Sequence, residues 1–431
     1  MLNTAPRTST VAETIRTLGG GGPRRIAESA GLVITHGEGS HLVDETGRRY
    51  LDFATAMGVA AIGHANPIWV HAVQEQAARL AACVLHMPEQ AEYLEALAGV
   101  LPEGLQRTAL YSGGTEAVEV AVRLAQSVTG NREVISFTAG FHGKTTGVRF
   151  TGDRFPDERV ALGVDWIHHV PYPVCTEHDA VTYDRCEEDG ARSLTALGEY
   201  AATLTREVAA VIVEPVLGTA GNRPPQRRFL QGLRRLCNER GWLMILDESI
   251  TGFGRLGTNF AAEYFDVQPD ILVLGKAMGG GFPLSGVASS SAVWDASLYA
   301  EMSATSSSYG FNPLACAAGA AVVEVLRSDG FLANVRSVGA QLARGITEIA
   351  AASPYVRNPR GVGMMLGFDF VDPKTGRLAG PDLCGELFRR CLEQGLLIVG
   401  DVPGVRLNPT LVLTPDEARR ALEGLAAAVC H

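Results

Sequence analysis

Lys276 is the residue of this 431-residue chain best placed to act as a nucleophile. It follows the apolar run DILVLG and precedes GGGFP. An apolar approach lowers the pKa of a lysine amine and makes it reactive toward an aldehyde. A structural lysine beside a glycine turn is the competing interpretation. It is weakened because the chain has only two other lysines, Lys144 and Lys374, and both lie in polar segments.

A carboxylate also ends a predicted strand, at Asp247. Five apolar residues, WLMIL, precede it. A carboxylate at the end of a buried strand is costly unless a cation or hydrogen-bond donors hold it. The alternative is an aspartate that only caps a helix, so this residue alone does not define a site.

Two further segments can bind the parts of a flat, anionic cofactor. In ALYSGGTEA a strand ends at Gly113 and Gly114 and a helix opens at Thr115, which directs backbone N–H groups toward an anion. A tight turn without a ligand is an equally good interpretation. In TAGFHG, Phe141 and His142 follow a strand and suit stacking on a ring, although a lone phenylalanine is more often part of a core.

Together these four segments meet the requirements of pyridoxal phosphate, which are a lysine for a Schiff base, an acid for the pyridine nitrogen and an anion site. The set is far more specific than any of its members. A nicotinamide-dependent dehydrogenase is disfavoured, because the chain lacks GxGxxG after an early strand with an acidic residue about 20 positions later.

The elements that position these residues alternate from about residue 107. Apolar strands TALYSGG, EVISFTA, AAVIVEP, WLMILDE and DILVLGK are separated by amphipathic helices that end at Gly130 and Gly241. This alternation predicts an α/β fold with a mainly parallel sheet flanked by helices. We expect an N-terminal arm and small-domain segment at 1–53, a large cofactor domain at 54–320 and a C-terminal α+β domain at 321–431.

Composition excludes several other classes. The chain has 37 basic and 47 acidic residues and a formal charge of -10, so we expect no nucleic acid partner. No apolar run is long enough to span a membrane, and the N-terminus lacks the pattern of a secretion signal. The eight cysteines are scattered without metal-ligand spacing, which predicts reduced thiols, no metal site and a cytoplasmic location.

At DESITGFGRLG, followed by LVLGKAMGGGFPLSG, the sequence resembles the class III aminotransferases, the fold-type I pyridoxal phosphate family that includes glutamate-1-semialdehyde aminomutase. The resemblance extends from HLVDETGRRYLDF and GHANP through SGGTEA, FHGKTTG, IVEPVLG and SYGFNPLACAA to GVGMMLGF and VRLNPTL. It covers nearly the whole chain in the expected order.

The resemblance implies roles for individual residues. Lys276 would form the Schiff base with the cofactor, and Asp247 would pair with its pyridine nitrogen. Gly113, Gly114 and Thr115 would hold the phosphate, Phe141 would stack on the ring with His142 beside it, and Glu214 would lie near the cofactor. Ser308 takes the place of a threonine that reaches the neighbour's phosphate, which implies a homodimer with shared active sites.

Some positions depart from the family pattern. After Asp-Glu the family often has an aliphatic residue that packs on the ring and a glutamine that bonds its phenolic oxygen, and here these are Ser249 and Ile250. The resemblance places Ile250 by the cofactor, where its side chain could not make that bond. Thr219 stands where a glutamate covers the substrate-binding arginine in glutamate-using relatives. Arg406 matches that arginine and is a candidate carboxylate receptor, with a structural, solvated role as the alternative.

The leading hypothesis is therefore transfer of an amino group between an amine or amino acid and an oxo acid or aldehyde. An aminomutase or an amino acid racemase would use the same residues and stays open. A decarboxylating enzyme and a relative that binds the cofactor without turnover are less consistent with the sequence. The substrates themselves are small molecules that the sequence does not identify.

Overall fold

The computed structural model describes residues 10–20, 25–145, 165–173 and 188–430. Its strands, in chain order, are β1 Ile34–Glu38, β2 His41–Asp44, β3 Arg49–Asp52, β4 Arg107–Tyr111, β5 Glu133–Phe137, β6 Ile167–Val170, β7 Val208–Val213, β8 Leu243–Asp247, β9 Ile271–Leu274, β10 Ser285–Ser289, β11 Val356–Val362, β12 Met365–Phe370, β13 Leu396–Leu397 and β14 Gly404–Leu407. 

The helices of the same residues are α1 Val11–Leu18, α2 Arg25–Ala30, the single turn α3 Thr55–Gly58, α4 Pro67–Arg79, α5 Pro88–Ala98, α6 Gly114–Thr129, α7 Glu188–Ala201, α8 Arg227–Arg240, α9 Ala261–Phe265, α10 Ser291–Asp295, α11 Pro313–Arg327, α12 Phe331–Ala352, α13 Pro381–Glu393 and α14 Pro415–Val429. Short 3-10 helices cover Lys276–Gly279 and Leu298–Ala300.

A mainly parallel sheet organises the middle of the chain. Among the described residues it has seven strands in the order β4-β10-β9-β8-β7-β5-β6. The strands from β9 to β6 run parallel, whereas β10 is antiparallel to both of its neighbours. β5, β7 and β9 are buried along their whole length. A sheet covered on both faces needs such continuous apolar runs, and the predicted α/β class is confirmed.

Two helices beside this sheet end at the glycines that the sequence pattern predicts, and the first begins at Gly114, one residue before the predicted Thr115. In α6 the apolar positions Ala117, Ala121 and Leu124 are buried against the strands. The helix ends at Gly130, whose φ of 69° lies in the left-handed region that favours glycine at a helix C-terminus. Gly241, with a φ of 70°, ends α8 in the same way.

Two smaller sheets join the ends of the chain. In the described residues, one has the order β1-β2-β3-β13 and the other the order β11-β12-β14. β13 pairs in parallel with β3, with Leu396 opposite Leu51, so the C-terminal segment completes a sheet begun by the N-terminal segment. The domain limits at residues 53 and 320 stay predictions.

None of the helices in the described ranges combines the length and the apolar character that a membrane span requires.

Candidate active site

The carboxyl ends of neighbouring parallel strands bring the predicted site residues to one edge of the sheet. Asp247 is the last residue of β8, Glu214 follows β7 and Lys276 follows β9 after one glycine. Open α/β sheets bind ligands at this edge. A cleft of about 190 Å³ lies there. The predicted residues that line it are Gly114, Thr115, Phe141, His142, Glu214, Asp247, Ile250 and Lys276.

Asp247 is held by three hydrogen bonds. Its Oδ2 lies 2.8 Å from Nδ1 of His142, and its Oδ1 accepts from the backbone N (3.1 Å) and Oγ (2.6 Å) of Ser249. Burial by itself would raise the pKa of this carboxyl. The bond and charge of His142, the charge of Lys276 and the Ser249 hydroxyl outweigh burial and hold the pKa below its ordinary value. Asp247 is therefore an ionised acceptor in the cleft.

Lys276 presents its amine to the same cleft. Its backbone φ is 47°, an uncommon value for a residue with a side chain that costs about 1 kcal/mol or more and is typical of functional sites. Burial lowers the pKa of the amine, and the positive charge of Arg406 lowers it further, while Asp247 and Glu214 act in the opposite direction. The net shift is downward, so a larger fraction of the amine is neutral than in an exposed lysine.

The first turn of α6 also borders the cleft. Gly114 and Thr115 open the helix after the cap residue Gly113. The N–H groups of a first turn have no acceptor inside their helix. A Cβ built on Gly113 would meet no heavy atom within 4 Å, so the space beside this residue is open. The open space and the helix N-terminus suit a phosphate group.

Glu214 connects two segments that border the cleft. Its Oε1 accepts from the backbone N of Phe141 at 2.8 Å, and its Oε2 accepts from the backbone N of Gly218 at 3.0 Å. Burial raises the pKa of Glu214; the charge of Asp247 adds to this shift and His142 opposes it. The carboxylate thus fixes the backbone at Phe141, whose half-buried ring lines the cleft.

Ile250 fills the space between the loop after β7 and the turn α3. A Cβ on Gly218 would lie 2.5 Å from Cδ1 of Ile250, and one on Gly58 would lie 3.7 Å from its Cγ2. No side chain larger than glycine fits at Gly218 without displacing Ile250. The aliphatic side chain of Ile250 therefore packs between these two segments and also lines the cleft.

Arg406 lies on β14, outside the residues that line the cleft. Its charge nevertheless acts on Lys276. Two residues further along the chain, the side-chain oxygen of Asn408 accepts from Nδ2 of Asn222 at 2.9 Å, and its backbone oxygen accepts from Oγ1 of Thr55 at 2.7 Å. These bonds hold the end of β14 against the loop after β7 and the turn α3.

Ser308 does not join this cleft. It is exposed and borders a second cavity, of about 800 Å³, between the segments around 83–86 and 299–311. Several large apolar side chains near that cavity are exposed, including Val84 (97%) and Met302 (97%).

Four residues that line the cleft were not predicted to bind a ligand there, namely Gly143, Val216, Ser249 and Thr251. Ser249 and Thr251 lie within four positions of Asp247, so extending the site beyond the strand end would have included them. The hydrogen bond from the Ser249 hydroxyl to Asp247 could not be predicted from the resemblance, because the family often has an aliphatic residue without a hydroxyl at that position.

The residues of the cleft fit pyridoxal phosphate. An ionised acid, a lysine amine of lowered pKa, an aromatic ring and an open helix N-terminus match the pyridine nitrogen, the aldehyde, the ring and the phosphate of that cofactor. These groups could also bind another anionic aldehyde, and similarity to known proteins distinguishes the two cases.

Comparison with known proteins points to one family. The model of the family Aminotransferase class-III matches residues 24–429. The [LysW]-aminoadipate semialdehyde transaminase of Deinococcus radiodurans is 38% identical over 90% of this chain and 83% of its own length. Acetylornithine aminotransferase 1 of Bordetella pertussis is 35% identical over 89% of this chain and 91% of its own.

A solved structure gives the same result. The amine transaminase from an uncultivated Pseudomonas species, in its PLP-bound internal aldimine form, superposes with a TM-score of 0.84 at 26% identity. The match covers 100% of this chain and 98% of the other.

Proposed function

The chain belongs to the class III aminotransferases, and from this premise we propose that it moves an amino group from an amine or amino acid to an oxo acid or aldehyde with Lys276 as the covalent anchor of its cofactor. It is a pyridoxal phosphate-dependent enzyme that transfers amino groups. The observation that carries the assignment of roles is the shared cleft. Lys276, Asp247 and the N-terminus of α6 approach it from three separate elements.

Pyridoxal phosphate supplies an electron-withdrawing ring that stabilises negative charge on the carbon beside the substrate nitrogen. Asp247, ionised and held by His142 and Ser249, would pair with the ring nitrogen and favour its protonated form. The Lys276 amine would act as the base toward the substrate carbon, and its lowered pKa favours this role because the neutral amine is the form that accepts a proton. Backbone N–H groups of Gly114 and Thr115 would hold the phosphate.

Arg406 is the candidate receptor for a substrate carboxylate. A guanidinium binds a carboxylate through two parallel hydrogen bonds, which a lysine cannot reproduce. Its charge reaches Lys276, so a carboxylate bound there would lie within the electrostatic range of the reacting groups. The relatives named for aminoadipate semialdehyde and acetylornithine support an amino acid derivative as substrate.

We also propose a homodimer in which Ser308 reaches the phosphate of the neighbouring subunit. The cavity beside Ser308 and the exposed side chains of Val84, Met302 and Tyr309 form an apolar surface that a second copy would cover. A cytoplasmic location is part of the proposal, since the described cysteines, such as Cys237 and Cys316, are free thiols.

A panel of donors tests the reaction. The purified enzyme, loaded with pyridoxal phosphate, is incubated with amines and amino acids and one oxo acid, and the products are separated by chromatography. We expect at least one donor to yield a carbonyl compound and an equal amount of aminated acceptor. Arg406→Ala should lose activity with carboxylate-bearing donors and keep it with simple amines. A donor that returns only as its isomer or enantiomer would instead identify an aminomutase or a racemase.

A further inference from the structure

Ser249 is hydrogen-bonded to one part of the active site and lies beside two others. Its hydroxyl donates to Oδ1 of Asp247 at 2.6 Å. The same Oγ lies 3.5 Å from a Cβ built on Gly275, the residue before Lys276, and 3.7 Å from one built on Gly114 in the first turn of α6. The hydroxyl therefore lies between the acid, the lysine segment and the phosphate end of the cleft.

The hydrogen bonds divide unevenly between the two carboxylate oxygens of Asp247. Each oxygen of a carboxylate has room for about two donors. Oδ1 accepts from both the backbone N and the Oγ of Ser249, whereas among the described residues Oδ2 has only His142 as a partner. With respect to the described part of the chain, one acceptor position remains, and it is on Oδ2.

We propose that Ser249 is a positioning residue that saturates Oδ1 of Asp247 and thereby leaves Oδ2 to receive the cofactor nitrogen. The inference rests on the proposed role of Asp247 and adds a function for Ser249. An aliphatic residue at this position would keep the backbone N–H but not the hydroxyl. Both oxygens would then have a free acceptor position, and the carboxylate could turn between two arrangements.

The hydroxyl also helps to keep Asp247 ionised. Burial raises the pKa of this carboxyl, and the Ser249 hydroxyl is one of the groups that counteract the effect of burial. Its removal should therefore raise the pKa of Asp247. As the pH falls, the carboxyl would then become neutral and stop pairing with the ring nitrogen at a higher pH than in the wild type.

The test compares Ser249→Ala, Ser249→Val and Ser249→Thr by the dissociation constant of pyridoxal phosphate from the apoenzyme, measured across the pH range by fluorescence titration. Loss of one hydrogen bond to a charged group corresponds to about tenfold weaker binding at neutral pH. For the Ala and Val variants we expect this tenfold weaker binding of pyridoxal phosphate. We also expect their affinity to begin to fall, as the pH is lowered, at a higher pH than that of the wild type. Threonine keeps the hydroxyl and should restore binding to within about twofold of the wild type.

A second background separates this role from a general effect on the cleft. In Asp247→Ala, where the carboxylate is absent, Ser249→Ala should have no further effect on binding, because residues that act together are not additive. An equal loss in both backgrounds would assign the hydroxyl to the phosphate end instead and overturn the proposal. Wild-type affinity and pH dependence in Ser249→Ala would also overturn it.

Thermal unfolding of the apoenzymes checks that each variant is folded. The titration measures binding without turnover, so its outcome is independent of the reaction catalysed. A wild-type protein that fails to bind pyridoxal phosphate would contradict the proposed function, whereas binding that is unchanged by Ser249→Ala would contradict only the role of Ser249.

Discussion

Nδ1 of His142 lies 2.8 Å from Oδ2 of Asp247, and the side chains of both residues are almost fully buried, at 1% and 4% exposure. The two residues are 105 positions apart in the chain. In the proposed complex, Oδ2 of Asp247 would be bound by both His142 and the cofactor nitrogen. It therefore orients the acid and keeps it charged.

Replacing His142 with phenylalanine should shift the pH range in which the enzyme is active to higher pH. Without the donor, burial raises the pKa of Asp247, so the carboxyl protonates as the pH falls and activity is lost. We expect kcat/KM at neutral pH to fall by about tenfold or more, with recovery as the pH rises. His142→Gln keeps an N–H donor and should lie nearer to the wild type. A pH profile of His142→Phe that matches the wild type would contradict this role.

Lys276→Ala should abolish covalent attachment of the cofactor. The expected result is loss of the visible absorbance of lysine-bound cofactor and of amino transfer, because no other lysine was predicted to reach the site. Lys374→Ala, in an exposed turn, is the matched control and should leave both unchanged. Mass spectrometry after borohydride reduction locates the modified residue. A modified Lys144 or Lys374 in the wild type would disprove the assignment.

The pKa of Lys276 gives a prediction with a defined sign. Only the neutral amine captures the cofactor aldehyde, so the rate of capture by the apoenzyme should rise with pH and level off above the pKa. We expect a wild-type midpoint below about 10.4, the ordinary value for lysine. Arg406→Ala removes a charge that lowers the pKa and should move the midpoint to higher pH, while Asp247→Asn should move it to lower pH.

Stopped-flow absorbance at a series of pH values measures these midpoints. Arg419→Ala, on the exposed face of α14, removes a positive charge from a residue that does not line the cleft and serves as the control. Equal midpoints for the wild type and Arg406→Ala would show that Arg406 does not act on the lysine.

Mixed dimers test whether Ser308 completes the neighbour's site. Lys276→Ala and Ser308→Glu should each be inactive, the second because a carboxylate repels phosphate. After the two are unfolded and refolded together, half of the dimers are mixed and each has one intact site, so activity should return to about a quarter of the wild-type level. Each variant refolded alone is the control. No recovery, with mixed dimers verified by native mass spectrometry, would place Ser308 and Lys276 in the same subunit's site.

Gly218→Ala should destabilise the protein by overpacking against Ile250. The new Cβ would lie 2.5 Å from Cδ1 of Ile250 and 3.3 Å from a carboxylate oxygen of Glu214. Such overpacking costs about 1–3 kcal/mol of unfolding free energy. Ile250→Val lacks Cδ1, so the double variant should recover most of the loss. Urea unfolding measures the free energy of unfolding of the single and the double variant.

Gly385→Ala is the control for this substitution. It lies within α13 and a Cβ there would meet no heavy atom within 4 Å, so alanine should be neutral or stabilising. If Gly218→Ala were as stable as Gly385→Ala, the loop would have to be free to move away from Ile250.

Within the described part of the large sheet, the sequence by itself determined the strands β4, β5, β7, β8 and β9 and the residues at their ends, but neither β6 nor β10. β8 and β9 are recognisable because a sheet covered on both faces requires continuous apolar runs. Asp247 and Lys276 stand out because each is a charged residue at the end of such a run. Parallel strands align their carboxyl ends, so local patterns sufficed to predict that these two residues share a site. The limits of the domains and the role of Ser308 stay predictions.

Tertiary structure decided the partners of these residues. β10, a short run of small residues, has no apolar signature, and its antiparallel place between β4 and β9 follows from pairing across the chain. The bonds of Asp247 to His142 and of Glu214 to the backbone of Phe141 join residues far apart in sequence. Hydrogen bonds depend on distance and angle between atoms, and periodicity in a sequence contains neither. Residue types at the strand ends were therefore sufficient to predict pyridoxal phosphate chemistry. The orientation and ionisation of Asp247 followed only from the fold.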